Sequence, residues 1–135
     1  MLELLIVVAI ILIIATIAIP SLLRSRQSAN ETAAVADLKT LTAAQITYSS
    51  GLSGAFGTIP QLVSAGLLDN RYNGPLSGYN YSIAVSPNGL DFSAFATAIS
   101  SNSGRYDYYT TVDYVIRFST DSTRAPSGQP GNPVQ

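Results

Sequence analysis

The sequence predicts an α+β fold, in which a long N-terminal α-helix packs on a four-stranded antiparallel β-sheet and is followed by an extended C-terminal tail. Residues 1–20 are almost wholly apolar, and residues 21–50 contain no glycine or proline. After residue 78, short alternating runs are separated by turn residues, which is typical of antiparallel strands. Five regions are predicted: an apolar transmembrane or filament-core helix (1–23), its amphipathic continuation (24–50), a connecting loop with a short helix (51–78), the sheet (79–118) and a Ser/Pro/Gly-rich tail (119–135).

The first segment is apolar on every side, since Leu4 to Ala15 contains no polar side chain. A helix without a polar face belongs in lipid or in a closed protein core. Leu4 to Leu23 would span roughly 30 Å, the hydrocarbon thickness of a bilayer. Glu3 is the exception in this segment. Either its carboxylate lies among lipid headgroups, or it is buried against a positive partner, because an ionisable group in an apolar segment is a candidate for a functional role.

The second segment has the spacing of an amphipathic helix. Steps of three and four residues predict a single face that packs on the globular domain, made of Ala34, Leu38, Leu41, Ala44 and Tyr48. The charged residues Glu31, Asp37 and Lys39 are expected to be solvated. The two segments together give a helix of about 50 residues, roughly 75 Å long. A small domain cannot cover that length, so the N-terminal half is expected to need partners.

The rest of the chain is predicted from turn residues and alternation. Thr58 is a candidate N-cap for a short helix that ends at Gly66. Asp69 to Gly78 is expected to be a loop. Four strands in a meander are then predicted, over Tyr79–Val85, Leu90–Ile99, Arg105–Tyr109 and Tyr114–Phe118.

The composition argues against several functional classes. A net charge of -1 with 11% charged residues gives no indication of nucleic-acid binding. The sequence has no histidine, the commonest acid–base catalyst and metal ligand, and no cysteine. The acids Asp107, Asp113 and Asp121 are too scattered to predict a calcium site and are expected at the surface. No catalytic or cofactor motif is evident, so neither an enzyme nor a cofactor is expected. Asn30 and Asn80 match the glycosylation pattern, which often arises by chance.

The run LELLIVVAII over residues 2–11, followed by IATIAIP over residues 14–20, resembles the N-terminal segment of mature type IV pilins and type II secretion pseudopilins. The resemblance implies a subunit that is processed by a prepilin peptidase, is methylated at its new N-terminus, and is assembled by the pilus machinery into a helical homopolymer. It also implies that Glu3 pairs with the N-terminal amine of a neighbouring subunit and that Pro20 marks a helix break. The residues implied for the filament core are Leu4, Leu5, Val8, Ile11 and Ile14.

The sequence departs from the family pattern in two ways. Leu12 stands where the family usually has glycine, so the upstream helix is expected to stay intact and any break near Pro20 to be short. The family also has two further residues before the position of Met1, so the chain either lacks them or begins at Met1. Arg24 and Arg26 follow the apolar segment, and the positive-inside rule alone would place them in the cytoplasm. A pilin needs them outside, an orientation that the basic leader of the family would normally set.

The expected function is therefore that of a structural subunit of a type IV pilus, of the adhesion, motility or DNA-uptake class. It would reside in the inner membrane before assembly and in an extracellular cell-surface filament afterwards. Two alternatives stay open: a type II secretion pseudopilin, and a membrane-anchored binding domain that never polymerises. A cleaved secretory signal is a weaker account of residues 1–20, because they lack a basic n-region and exceed the usual apolar length.

Overall fold

A computed structural model describes residues 1–52, 54–119 and 132–134. One long helix packs on an antiparallel sheet, as the predicted α+β class requires, and the sheet has five strands rather than four. The elements in chain order are α1 (Leu2–Leu52), α2 (Ile59–Ser64), a 3₁₀ helix (Asn70–Asn73), β1 (Tyr79–Val85), β2 (Phe92–Ala98), β3 (Tyr108–Thr111), β4 (Arg117–Phe118) and β5 (Asn132–Pro133).

The helix α1 is 51 residues long and joins the two predicted segments without interruption. At 1.5 Å per residue it extends about 77 Å. Its C-terminal half buries the predicted face: Leu38 and Leu41 are fully buried and Tyr48 is half-buried. The N-terminal half lies outside the domain. The periodicity of the sequence therefore predicted correctly which part of the helix belongs to the globular core.

The sheet is a meander in which each strand pairs antiparallel with the next, in the order β1-β2-β3-β4-β5. Tyr81 of β1 lies opposite Ala96 of β2, and Phe95 of β2 lies opposite Tyr109 of β3. The fully buried Ala94 and Ala96 place little bulk between the sheet and α1, which crosses β2 and β3. These small side chains let the helix lie close to the sheet.

Three strands differ from the prediction. β2 is shorter than predicted and spans Phe92–Ala98. The starts of β3 and β4 differ because acidic side chains replace the backbone ladder. β3 begins at Tyr108, since the Asp107 carboxylate accepts the Ala98 N–H at 2.8 Å in place of a backbone carbonyl. β4 contains only Arg117 and Phe118. Before it, Tyr114 adopts a positive φ of 60°, and Asp113 accepts the Val115 N–H at 3.0 Å, which forms a turn where a strand was predicted.

The fifth strand comes from the region predicted as an extended tail. Asn132 and Pro133 pair with Phe118 and Arg117, and the Val134 N–H donates to the Ile116 carbonyl at 2.8 Å. The end of the tail is thus part of the sheet edge. The rest of that predicted tail, residues 120–131 and 135, lies outside the described residues.

The loop after α1 is fixed by one buried amide. Gln45 is fully buried on the core face of α1, between Leu41 and Tyr48 in helical spacing. Its Nε2 donates to the Gly57 carbonyl at 2.5 Å, and its Oε1 accepts the Gly57 N–H at 3.0 Å. Thr58 follows as the predicted N-cap of α2, and its N–H donates to Gln61 Oε1 at 2.8 Å.

Three acids expected at the surface lie inside the domain, so that prediction was wrong for them. Glu31 is 7% exposed and is bound by Arg105, and Asp107 is fully buried. Asp37 is partly buried, and its two carboxylate oxygens accept the hydroxyls of Tyr72 and Tyr81, each at 2.9 Å. Each of these three acids accepts at least one hydrogen bond, which makes its burial less costly. Lys39 and Asp113 are exposed, as predicted.

Candidate assembly surface

The main functional candidate is the apolar surface of α1 before it reaches the domain. Among the described residues, α1 is the helix long and apolar enough to cross a membrane, and its most apolar 18-residue stretch has no buried residue. Monomeric soluble proteins rarely expose a contiguous apolar surface of this size. Larger exposed apolar surfaces of this kind mark sites of interaction with membranes or with other proteins.

The predicted filament-core residues all lie on this exposed surface, where the structure leaves them without contacts to their own domain. Leu4 is 70% exposed and Ile14 60% exposed. Leu4, Val8 and Ile11 follow each other at steps of four and three residues, so they share one side of the helix. Every position from Leu4 to Ala15 is apolar, so this stretch of the helix has no polar side. The exposed large apolar side chains of this half include Leu2, Leu4, Leu5, Ile6, Val7, Val8, Ile10, Ile11, Leu12, Ile13, Ile14, Ile17, Ile19, Leu22 and Leu23.

Glu3 lies in the first turn of α1, between the exposed side chains of Leu2 and Leu4. A carboxylate is favourable there, because the N-terminal end of a helix carries partial positive charge. Within residues 1–52, 54–119 and 132–134, Glu3 makes no ion pair with its own chain. The single chain thus presents an unpaired acid at the end of an exposed apolar helix.

Pro20 lies inside α1, and the helix is continuous through it. Proline removes the N–H that would bind the Thr16 carbonyl, and its ring crowds that carbonyl. The Thr16 hydroxyl donates to the Ile13 carbonyl at 2.7 Å, one turn before the proline. The single chain has no break here. The break was predicted for the assembled state and stays a prediction.

Three polar side chains fix the point where the free helix leaves the domain, and together they form what we call the neck. Gln27 Nε2 donates to the Ser101 carbonyl at 2.6 Å, and Asn30 Nδ2 donates to the Ser103 carbonyl at 2.9 Å. Glu31 accepts from Arg105 three times, at 2.8 Å from the backbone N–H, 3.1 Å from Nε and 3.0 Å from Nη2. The helix before Gln27 is therefore free over about 38 Å.

The ion pair of the neck is partly shielded from water, because one of its two side chains is buried. The Glu31 side chain is 9% exposed, whereas the Arg105 side chain is 55% exposed. Hydrogen bonding to Glu31 and the charge of its carboxylate raise the pKa of Arg105. The Arg105 guanidinium also lies 5.4 Å from the centre of the Tyr106 ring. A fork of this kind restrains direction as well as distance, so it orients the free helix relative to the sheet.

The neck was not predicted from the sequence, although the spacing contains a signal for it. Glu31 and Gln45 lie on the same helical face as Leu38 and Leu41, at positions that extend the predicted core stripe in both directions. A polar residue in register with a core stripe should have a partner, because burial without one is costly. The spacing therefore identifies the polar residue, while its partner lies too far along the chain to be found from spacing.

Metal ligands and modification sites are the remaining candidates for a functional role in the described part of the chain. They contain no group of three or more His, Cys, Asp or Glu side chains that could hold a metal ion. Asp121, the third of the scattered acids, lies outside the described residues. Of the two glycosylation patterns, Asn30 uses its amide in the neck, whereas Asn80 is exposed on β1.

Comparison with known proteins found no match to this chain among protein-family models, curated proteins or solved structures.

Proposed function

We propose that this chain is a non-enzymatic structural subunit that polymerises into a type IV pilus through the free half of α1. One observation carries the proposal: a helical segment about 38 Å long, apolar on every side from Leu4 to Ala15, projects from a separately packed α+β domain, and no part of the described chain covers it. Before assembly, the inner membrane would cover this helix. After assembly, the helices of other copies would cover it, in a filament that extends outside the cell.

The chemistry of such a subunit is association. In a bilayer the free helix is already out of water, so close packing between helices would decide assembly. The side chains proposed for the filament core are Leu4, Leu5, Val8, Ile11 and Ile14, which leave lipid and pack against the same segment of other copies. Pro20 would allow this segment to bend as it leaves the membrane.

Glu3 would supply the register. An acid within an apolar helix costs about 2.5–3.5 kcal/mol on insertion scales, and less near the ends of the helix. The N-terminal amine of a neighbouring subunit would offset that cost at one axial position. An incoming subunit aligned at that position is then favoured over a slipped one. The prepilin peptidase that exposes and methylates this amine, and the pilus assembly machinery, are the partners proposed with it.

Substitution of Glu3 tests the proposal. Glu3→Gln keeps the shape and removes the charge, and Glu3→Ala also raises hydrophobicity. We expect both variants to accumulate in the inner membrane while few or no filaments are seen by electron microscopy of sheared surface material. Asp91→Asn is the matched control, because it removes one negative charge at an exposed turn of the domain. Normal filament number in Glu3→Gln would show that the charge is dispensable.

Two other functions share the exposed helix as their basis. A type II secretion pseudopilin would form a short periplasmic filament, and a membrane-anchored binding domain would stay monomeric in the bilayer. Abundant surface filaments made of this chain alone would support the pilus and argue against both. Failure of the wild-type chain to form any filament would leave the anchored domain as the better account.

A further inference from the structure

A second site lies at the neck, on the side of α1 that faces Arg105. An open cleft of about 520 Å³ separates the last turns of the free helix from the loop that carries Arg105. The end of the cleft nearest the N-terminus of α1 is apolar. The end nearest the domain contains two arginines and three serines. The residues that line the cleft include Ile17, Ser21, Arg24, Ser25, Ser28 and Arg105.

The cleft is positively charged. Arg24 is exposed and makes no ion pair within the described part of the chain. Arg105 gives its Nε and Nη2 to Glu31, which leaves Nη1 directed away from that pair and without a partner among the described residues. With Glu31 counted, the two arginines leave a net charge of about +1 beside the cleft. Arginine forks and hydroxyl donors together are the groups that proteins use to hold phosphate oxygens.

The position of the cleft along α1 matches the headgroup layer of a membrane. Leu23 ends the apolar run, and Arg24 follows at once. If Leu4 to Leu23 spans the hydrocarbon layer of about 30 Å, Arg24 lies at its surface. Ile17 lies about 10 Å nearer the membrane centre, on the acyl-chain side. The cleft is thus apolar where lipid tails would lie and cationic where headgroups would lie.

We propose that Arg24 and Arg105, with the neighbouring serine hydroxyls, bind the phosphate of an anionic phospholipid headgroup. The site rests on the membrane location in the proposed function, though not on polymerisation. A bound headgroup would link the free helix to the loop before β3, through Arg105 and its ion pair with Glu31. It would therefore hold the domain in one orientation on the membrane surface while the subunit is unassembled.

The test uses the full chain in detergent, with lipid binding followed by native mass spectrometry. Phosphatidylglycerol, phosphatidylcholine and inorganic phosphate are the three probes. We expect one phosphatidylglycerol to be retained per chain at concentrations where phosphatidylcholine is lost. Arg24→Gln should weaken this binding by about fivefold, the usual contribution of one basic residue at an anionic surface.

Two further variants separate the site from general electrostatics. Arg26→Gln removes the same charge at nearly the same depth, but Arg26 projects about 200° round the helix from Arg24, away from the cleft, and should have less than half the effect. Glu31→Gln removes the competing carboxylate from Arg105 and should strengthen binding. A gain restricted to phosphatidylglycerol is expected from a freed guanidinium, whereas an unfolded domain would retain phosphatidylglycerol and phosphatidylcholine alike.

Several results would overturn the inference. Equal retention of phosphatidylcholine, or equal losses in Arg24→Gln and Arg26→Gln, would mean that no headgroup site exists. Displacement of the lipid by inorganic phosphate at similar concentration would mean that the cleft selects a free anion rather than a lipid. A chain that forms filaments but shows no lipid preference contradicts this inference alone, whereas a chain that never enters a bilayer contradicts the proposed function.

Discussion

At the scale of single residues, the domain depends on a few polar groups that are buried with their partners. Asp37 receives two tyrosine hydroxyls, Glu31 receives Arg105, and Gln45 pairs with the backbone of Gly57. Each of these groups lies on the core side of α1. The contacts therefore determine where the helix sits on the sheet, and apolar packing alone would leave that position less well defined.

The buried tyrosines predict a loss of stability at alkaline pH. Burial raises the pKa of Tyr108 to about 12 and raises the pKa of Tyr79 and Tyr81 further. Unfolded tyrosines ionise near pH 10. Their contribution to stability is therefore complete below about pH 10 and is lost as the pH rises toward and beyond 12. Ultraviolet titration of tyrosinate in the folded chain, compared with the denatured chain, measures this. A single transition near pH 10 in both would contradict it.

Gln45 is predicted to contribute more to the stability of the domain than most polar residues do. Gln45→Ala would leave the N–H and the carbonyl of Gly57 buried without partners, at about 1–3 kcal/mol each. Thr47→Ala is the matched control, because the Thr47 hydroxyl bonds only within the helix and is exposed. It should change the free energy of unfolding by less than about 0.5 kcal/mol. Urea unfolding of a fragment that begins at Ser28 makes the comparison, and equal effects would argue against the assigned role.

At the scale of elements, α1 combines two environments in one continuous helix. In residues 1–52, 54–119 and 132–134, the half before the neck buries no residue against the domain, and the half after it forms one wall of the core. The neck is the boundary between them. A change in the free half can reach the domain through the continuous backbone of α1 and through the contacts of Gln27, Asn30 and Glu31.

Pro20 is predicted to kink or unwind α1 between Ala15 and Leu23 once subunits assemble. Pro20→Ala restores the donor for the Thr16 carbonyl and favours helix by about 3 kcal/mol. We therefore expect a break in wild-type filaments and a continuous helix in Pro20→Ala filaments, as measured by electron cryomicroscopy. A straight helix through Pro20 in wild-type filaments would show that the proline is accommodated without bending.

The sequence predicted the elements with strong periodicity and missed those that depend on distant contacts. The apolar segment, the buried face of α1 and the alternation of β1 were all evident from spacing. Strand β5 has two residues and so carries no period to detect. Glu31 and Asp107 were expected in solvent, because their partners Arg105 and Ala98 lie elsewhere in the chain. Pairing across such distances follows from the fold and cannot be inferred from local pattern.

At the scale of the whole molecule, the chain divides into a part that water can solvate and a part that it cannot. The domain has a core of its own, built from one face of α1, α2 and the sheet. The free helix adds mainly exposed apolar surface, with Arg24 and Arg26 at the end that meets the domain. Solubility should therefore depend on which residues are present, more than on the stability of the domain.

A fragment that begins at Ser28 is predicted to be a soluble monomer, because it retains Asn30, Glu31 and the whole core. The full chain should require detergent, a bilayer or a filament. Size-exclusion chromatography with light scattering compares the two in plain buffer. If the full chain stays monodisperse there, both the membrane location and the filament would be contradicted.

The neck also constrains the order of events during synthesis. Its contacts join Gln27 to Ser101, Asn30 to Ser103 and Glu31 to Arg105, separations of 74, 73 and 74 residues. Translation proceeds at about 5–20 residues per second, so several seconds separate the appearance of the two sides. The apolar half of α1 thus leaves the ribosome long before the contacts of the neck, which orient it, can form. Its first partner in the cell is necessarily something other than its own domain.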